Sequence, residues 1–252
     1  MLLTSENYYS REANEEYLSV SQYKDFMGTY GKPGCEEYAL SKLNGTWVEA
    51  MEDSTALMVG SYVDAHFEGT LDKLFAPLGI EVVAQGSLGV TPAEEPFETF
   101  LENCLAKARN ASRQTGLPAI ADDSGICVDA LGGAPGVHSA RFAGLPKSDA
   151  RNNELLISRL QGEANRKAHY VCVLIGVKSA DDPDPLVATG YWHGEIVDTP
   201  RGENGFGYDP YFFLPQEGKT AAELSEEEKN SVSHRGQAVQ GLLSLLRNHW
   251  GW

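Results

Sequence analysis

From Leu74 onward the chain alternates short apolar runs with stretches of helical periodicity, and that alternation restricts it to an α/β architecture. Ile80 to Ala84 (IEVVA) reads as a strand. Thr91-Pro92-Ala93-Glu94 has the form of a capping box with proline at the first helical position, so a helix is expected to follow. Phe97, Leu101, Cys104, Leu105 and Ala108 would form its apolar face, with Glu98, Glu102, Lys107 and Arg109 on the polar side, and Gly116-Leu117-Pro118 would end it. Two apolar runs, Leu117 to Ala121 and Ile126 to Leu131, flank Asp122-Asp123-Ser124-Gly125, which predicts strand, acidic turn, strand. Asn153 to Leu160 reads as a helix, His169 to Val177 as a buried strand and Leu186 to Val197 as more sheet. Near the end, Ser225 to Glu228 forms a capping box, and Val239, Leu242, Leu243 and Leu246 make the stripe of a last helix.

Composition narrows the class further. At 252 residues with 42% hydrophobic and 22% charged side chains, the chain is a folded protein with an ample core. No apolar run approaches the roughly 18 residues that span a bilayer, and the opening MLLTSENYYSREANEEY is unlike a secretory signal, so a cytoplasmic, membrane-free protein is expected. Cys35, Cys104, Cys127 and Cys172 are scattered without a CxxC pair, as befits reduced thiols. The net charge of -16 opposes nucleic acid as a main partner, whereas a small anionic substrate can still be held by local cations and a metal ion. Residues 1–73 carry 5 basic and 13 acidic side chains, so half the charge imbalance sits in this segment, and a separate origin for it is expected.

Three stretches offer chemistry. Asp122 and Asp123 supply adjacent carboxylates suited to a hard cation such as Mg²⁺, although Asp and Ser are also ordinary turn formers. Glu94 and Glu95 are a second carboxylate source, equally suited to capping. Gly202 to Pro210 (GENGFGYDP) places glycines around Phe206 and Tyr208, where backbone can approach a flat ligand and aromatic faces can stack on it. It matches neither a phosphate loop nor the dinucleotide GxGxxG pattern. Lys229 with Ser233-His234-Arg235-Gly236 gathers potential cations and donors between two helices, able to read a purine carbonyl or simply to cap a helix end.

Taken in order, FAPLGIEVVAQ, LPAIADDSGICVDALGGAPGVHSARFAG, GENGFGYDPYFFLP and EGKTAAELSEEEKNSVSHRGQA resemble the inosine/xanthosine triphosphate pyrophosphatase family over most of residues 74–252. The resemblance implies an elongated mixed α/β sheet with two lobes around a cleft, a homodimer, Mg²⁺, and hydrolysis of non-standard purine triphosphates to monophosphate and pyrophosphate. By position it assigns Asp123 as the catalytic carboxylate that binds metal and activates water, with Asp122 in support and Ser124 on substrate. It also implies Glu94 or Glu95 in the metal shell, Lys107 facing the triphosphate, Phe206, Gly207, Tyr208 and Asp209 at the nucleoside, and Lys229, His234 and Arg235 at the base.

One departure stands out. The family opens with a strand and an [ST]-x-N-x-x-K triphosphate loop, whereas residues 56–73 here read ALMVGSYVDAHFEGTLDK. Residues 1–72 instead resemble the start of a phage-type PD-(D/E)xK nuclease. Ala56 to Val59 is the local candidate for the vacant first-strand slot, and the following Gly60 to Phe67 offers Ser61, Asp64 and His66 but no lysine. Two rival readings follow: a nucleotide-binding relative without turnover, and a metal nuclease using Asp209 with Glu217-Gly218-Lys219. The second is disfavoured by Pro215 and Gly218 within a required strand.

Overall fold

A computed structural model describes residues 28–29, 32–33, 56–61, 75 and 78–251. The chain divides into two compact units, Met1–Ser54 and Thr55–Trp252. In the first, β1 (Gly28–Thr29) pairs antiparallel with β2 (Lys32–Pro33).

The second unit is built on a seven-stranded mixed sheet. Its strands are β3 (Ala56–Ser61), β4 (Ile80–Ala84), β5 (Ala119–Val128), β6 (Lys167–Val177), β7 (Leu186–Ile196), β8 (Phe212–Leu214) and β9 (Lys219–Thr220), in spatial order β4-β3-β5-β6-β7-β8-β9. Strand β3 runs parallel to both neighbours, and every pairing from β5 to β9 is antiparallel. Ala56 to Val59 therefore does occupy a strand slot, between β4 and β5. Asp64 and His66 lie outside the described residues, as does Cys35.

The helices are α1 (Phe100–Thr115), α2 (Asp149–Arg159), α3 (Glu226–Val232) and α4 (His234–Leu245). Cys104, Ala108 and Ala111 of α1 pack against Ala119, Ala121, Val171, Val173 and Ile175 on one sheet face. Ala238, Val239, Leu242 and Leu243 of α4 cover Ile120, Cys172, Leu174 and Ala188 on the other, joined by Met58 and Phe75. Close approach of α4 requires Gly190 on β7, where a Cβ would stand 2.0 Å from the His234 carbonyl oxygen.

Two local expectations change. Helix α1 begins at an N-cap Thr99 that accepts from the Glu102 amide, not at Thr91. A helix opened at Thr91 would carry Pro96 in its interior, where proline removes a hydrogen bond and clashes with the preceding turn. Phe97 precedes the helix, and the face that packs on the sheet is that of Asn103, Cys104, Lys107 and Ala108, leaving Phe97 and Leu101 at 41% and 47% exposure. The acidic turn is likewise absent: Ala119 to Val128 is one unbroken strand, paired along its whole length with β6 from Ala119↔Val177 to Val128↔Ala168. Continuous pairing with an eleven-residue partner prevails over the turn preference of Asp and Ser. The capping box of α3 forms as expected, between Ser225 and Glu228.

Candidate active site

Along β5, side chains alternate between sheet faces, and this determines what each acidic residue meets. Asp123 points to the α1 face, where its Oδ1 accepts from Lys107 Nζ at 2.8 Å. Asp122 and Ser124 point to the α4 face, where Arg235 Nη2 donates to Ser124 Oγ at 3.1 Å and lies 3.6 Å from Asp122 Oδ2. The two carboxylates are thus adjacent in sequence but separated by the sheet. Strand β3 pairs β5 only as far as Ser61↔Ala121, and the bridge Cys127↔Pro135 lies beyond Gly125. Among the described residues, residues 122–125 therefore line a sheet edge with no strand beside it, just past the carboxyl end of β3, the position at which ligands bind in open α/β sheets.

Lys107 is 4% exposed, not on a solvated polar face as its helical position suggested. Its Nζ also lies 3.9 Å from Glu95 Oε1. Burial pulls the ammonium pKa down, but Asp123 and Asp122 outweigh it and raise the value, so the cation persists. Burial raises the Asp123 pKa, and Glu95 and Asp122 add to this against the opposing pull of Lys107. Glu95 thus joins the Asp123 side, while Glu94 is exposed and shares no ion pair with it among the described residues.

The glycine-rich loop is held from outside. Asp149 Oδ2 accepts from the Gly207 amide and Asn153 Nδ2 donates to the Gly207 carbonyl, both at 2.9 Å. Gly205 adopts φ +78°, and a Cβ there would meet Asp209 Oδ2 at 2.2 Å. Phe206 is presented at 47% exposure, with Lys229 Nζ 4.7 Å and the Arg235 guanidinium 5.4 Å from its ring centre. Tyr208 departs from expectation: it is buried, its hydroxyl donates to the Ser139 carbonyl at 2.7 Å, and its ring belongs to the core. An aromatic in a three-glycine loop is as apt to anchor the loop as to stack on a ligand.

Asp209 is 3% exposed and accepts from Lys229 Nζ at 2.6 Å, the Phe206 amide at 2.9 Å and the Tyr170 hydroxyl at 3.3 Å. Lys219 pairs instead with Glu228 at 3.5 Å, and Gly218 lies in a turn at φ +66°, so the D-x7-ExK string is not assembled as a site. His234 opens α4. Burial, then Arg235 and Lys229, hold its pKa well below the ordinary imidazole value, so it is a neutral ring with one donor and one acceptor rather than a cation. Its Nδ1 is buried without a hydrogen-bond partner.

Two further buried oxygens, Asp122 Oδ1 and Asp123 Oδ2, also have no hydrogen-bond partner. Carboxylate oxygens in this condition fit a hard cation, and Mg²⁺ is ordinarily held by one or two carboxylates with phosphate and water completing its shell. No group of three or more His, Cys, Asp or Glu suited to a metal occurs among the described residues.

Residues 66–245 match the Ham1 family. The chain belongs to the Ham1 family. It is 64% identical over 179 residues to a dITP/XTP pyrophosphatase of Ralstonia nicotianae, covering 70% of this chain and 89% of that one. A dITP/XTP pyrophosphatase of Aromatoleum aromaticum is 58% identical over 192 residues, covering 76% and 97%. A HAM1 protein structure from Coxiella burnetii superimposes with a TM-score of 0.74 at 42% identity, covering 76% of this chain and 98% of that one. Residues 19–102 also match a PDDEXK-like domain of unknown function. Strand β3 lies inside that second match and ahead of the Ham1 match. No helix among the described residues is long and apolar enough to cross a membrane.

Proposed function

We propose that this Ham1 protein hydrolyses non-standard purine nucleoside triphosphates, ITP, dITP and XTP, to monophosphate and pyrophosphate, and so cleanses the nucleotide pool. The observation that carries this reading is the pairing of two chemistries across one strand. Lys229 and Arg235 lie over the exposed Phe206 ring, the neutral His234 precedes Arg235 at the start of α4, and Arg235 reaches from there to Ser124 and Asp122 on the acidic edge. A purine stacked on Phe206 would present its C6 oxygen to donors, whereas adenine would set an amino donor against them.

Asp123 is the residue that orients the attacking water and accepts its proton, a role suited to a carboxylate more basic than usual. Lys107 fixes its rotamer from beneath instead of facing the triphosphate. Mg²⁺, when bound, supplies neutralisation of the charge that develops on the pyrophosphate leaving group. Asp123 with Glu95, both on the α1 side, are the residues that would hold it. Homodimer formation and a cytoplasmic setting belong to the same reading, as does a separate origin for residues 1–73, which fits the two family matches overlapping over residues 66–102.

A nucleotide-binding protein without turnover is the second reading, favoured by the lack of an [ST]-x-N-x-x-K motif ahead of residue 74. Incubating the full chain with ITP, XTP, GTP and ATP plus Mg²⁺, and measuring pyrophosphate and orthophosphate separately, decides between them. Pyrophosphate released from ITP and XTP in preference to ATP supports hydrolysis. Tight ITP binding without either product supports the second reading, and orthophosphate alone contradicts the proposed scission.

A further inference from the structure

Tyr170, on β6, touches both the His234 ring at the start of α4 and the Asp209 carboxylate that holds Lys229. Its ring stacks on the His234 imidazole with centroids 4.7 Å apart and planes within 8°. Its hydroxyl donates to Asp209 Oδ1 at 3.3 Å, while Asp209 Oδ2 takes the Lys229 ammonium at 2.6 Å and the Phe206 amide at 2.9 Å. Phe212 abuts the Tyr170 ring edge-on at 4.7 Å, and Trp192, directly opposite on β7, stacks at 6.3 Å. The ring is therefore clamped on its sides, and the hydroxyl is the polar atom through which it acts. Burial and the nearby Asp209 charge keep that hydroxyl protonated, so it remains a donor.

We propose that Tyr170 is a positioning residue for base selection, setting the plane of His234 with its ring and the direction of Lys229 through Asp209. The inference rests on the reading of Lys229, His234 and Arg235 as the groups that meet the purine. Tyr170 itself does not touch substrate. Without its hydroxyl, Asp209 loses one of three donors and gains freedom to rotate, and Lys229 moves with it. Lys229 is then no longer fixed against the C6 substituent, and the penalty for adenine relaxes. At 3.3 Å the bond is long for an O–H···O contact, which sets the effect at a few-fold, not at a hundredfold.

The test is Tyr170→Phe, which keeps the stacked ring and removes the hydrogen bond. Its kcat and KM for ITP and ATP, and its affinities for IMP and AMP by calorimetry, are measured beside wild type and Lys229→Ala. The expected result is a rise in KM for ITP of about 3- to 10-fold with kcat nearly unchanged, and a similar fall in the ITP to ATP and IMP to AMP ratios. A merely structural role would lower the melting temperature and leave both ratios alone. If Lys229→Ala collapses the ratios while folded Tyr170→Phe leaves them within twofold of wild type, the Tyr170 inference is overturned and the base-site reading stands. If Lys229→Ala leaves them unchanged too, or wild type neither turns over ITP nor binds IMP, the base-site reading fails and takes the inference with it. Should Tyr170→Phe not fold, Tyr170→His, which keeps a flat ring but displaces the donor, is read by the same ratios.

Discussion

Replacing Lys107 with methionine isolates the energetics beneath the proposed catalytic carboxylate. The side chain is 4% exposed, and its ammonium stands 2.8 Å from Asp123 Oδ1, so methionine fills the space and removes only the charge and donors. At 2.8 Å and an effective dielectric constant of about 20, the attraction amounts to about 6 kcal/mol before the cost of desolvating the ammonium is set against it. Removing one partner of a buried pair typically leaves a net loss of about 3–5 kcal/mol, because the other charge stays buried and unpaired. The pH dependence carries the diagnosis. The Asp123 pKa is already raised by burial, and loss of Lys107 raises it further. Folding then takes up a proton at Asp123 over a wider range, so the stability of the variant falls as pH rises through that range. Guanidinium titrations should show a gap of about 3–5 kcal/mol to wild type near pH 8, shrinking by at least about 1 kcal/mol near pH 5. The double variant Lys107→Met/Asp123→Asn should recover about 2 kcal/mol near pH 8, since no unpaired carboxylate remains at that position. A gap that stays constant with pH, together with no recovery in the double variant, would refute the argument.

Asp123→Asn should abolish ITP hydrolysis, with far-UV circular dichroism unchanged; turnover within tenfold of wild type would remove Asp123 from its assigned role. Arg235→Ala and His234→Ala should each lower the ITP to ATP ratio of kcat/KM by about 1–2 kcal/mol in equivalent free energy, and an unchanged ratio in both counts against them as base readers. Gly190→Ala places a methyl 2.0 Å from the His234 carbonyl oxygen and should cost about 2–3 kcal/mol, seen as a melting temperature lower by about 5–10 °C. A melting temperature within about 2 °C of wild type would mean that α4 can move off β7 freely.

Strands β4, β6 and β7 and helices α2 to α4 were legible because each carries its period and its caps within its own residues. The acidic strand was not, because Asp122 and Asp123 are extended through their pairing with Leu174 and Val173, some fifty residues away in sequence. The same distance hides the partition of the two carboxylates: alternation separates them only once the segment is known to be a strand. Lys107 looked solvated because a lysine beside Arg109 reads as a polar-face residue, and only Asp123 on the neighbouring strand makes its burial possible. Residue types in the loop and the α3–α4 junction were enough to mark them as candidates. The residues that hold them in place, Tyr170, Asp149, Asn153 and Ser139, read as ordinary strand, helix and loop positions, and only their partners reveal them.

Strand β3 lies ahead of the Ham1 match, yet it is the strand that joins β4 to the rest of the sheet. What a slot between two parallel neighbours demands is a short extended run with unencumbered amides and buriable side chains, and ALMVGS meets that demand. Backbone hydrogen bonds are indifferent to ancestry. A strand slot of this kind can therefore be filled by any run that meets those terms, while the chemistry at a strand's tip is set by the residues that follow it. Closing a sheet and supplying chemistry at the end of a strand are distinct demands on a sequence, and many runs that meet the first do not meet the second.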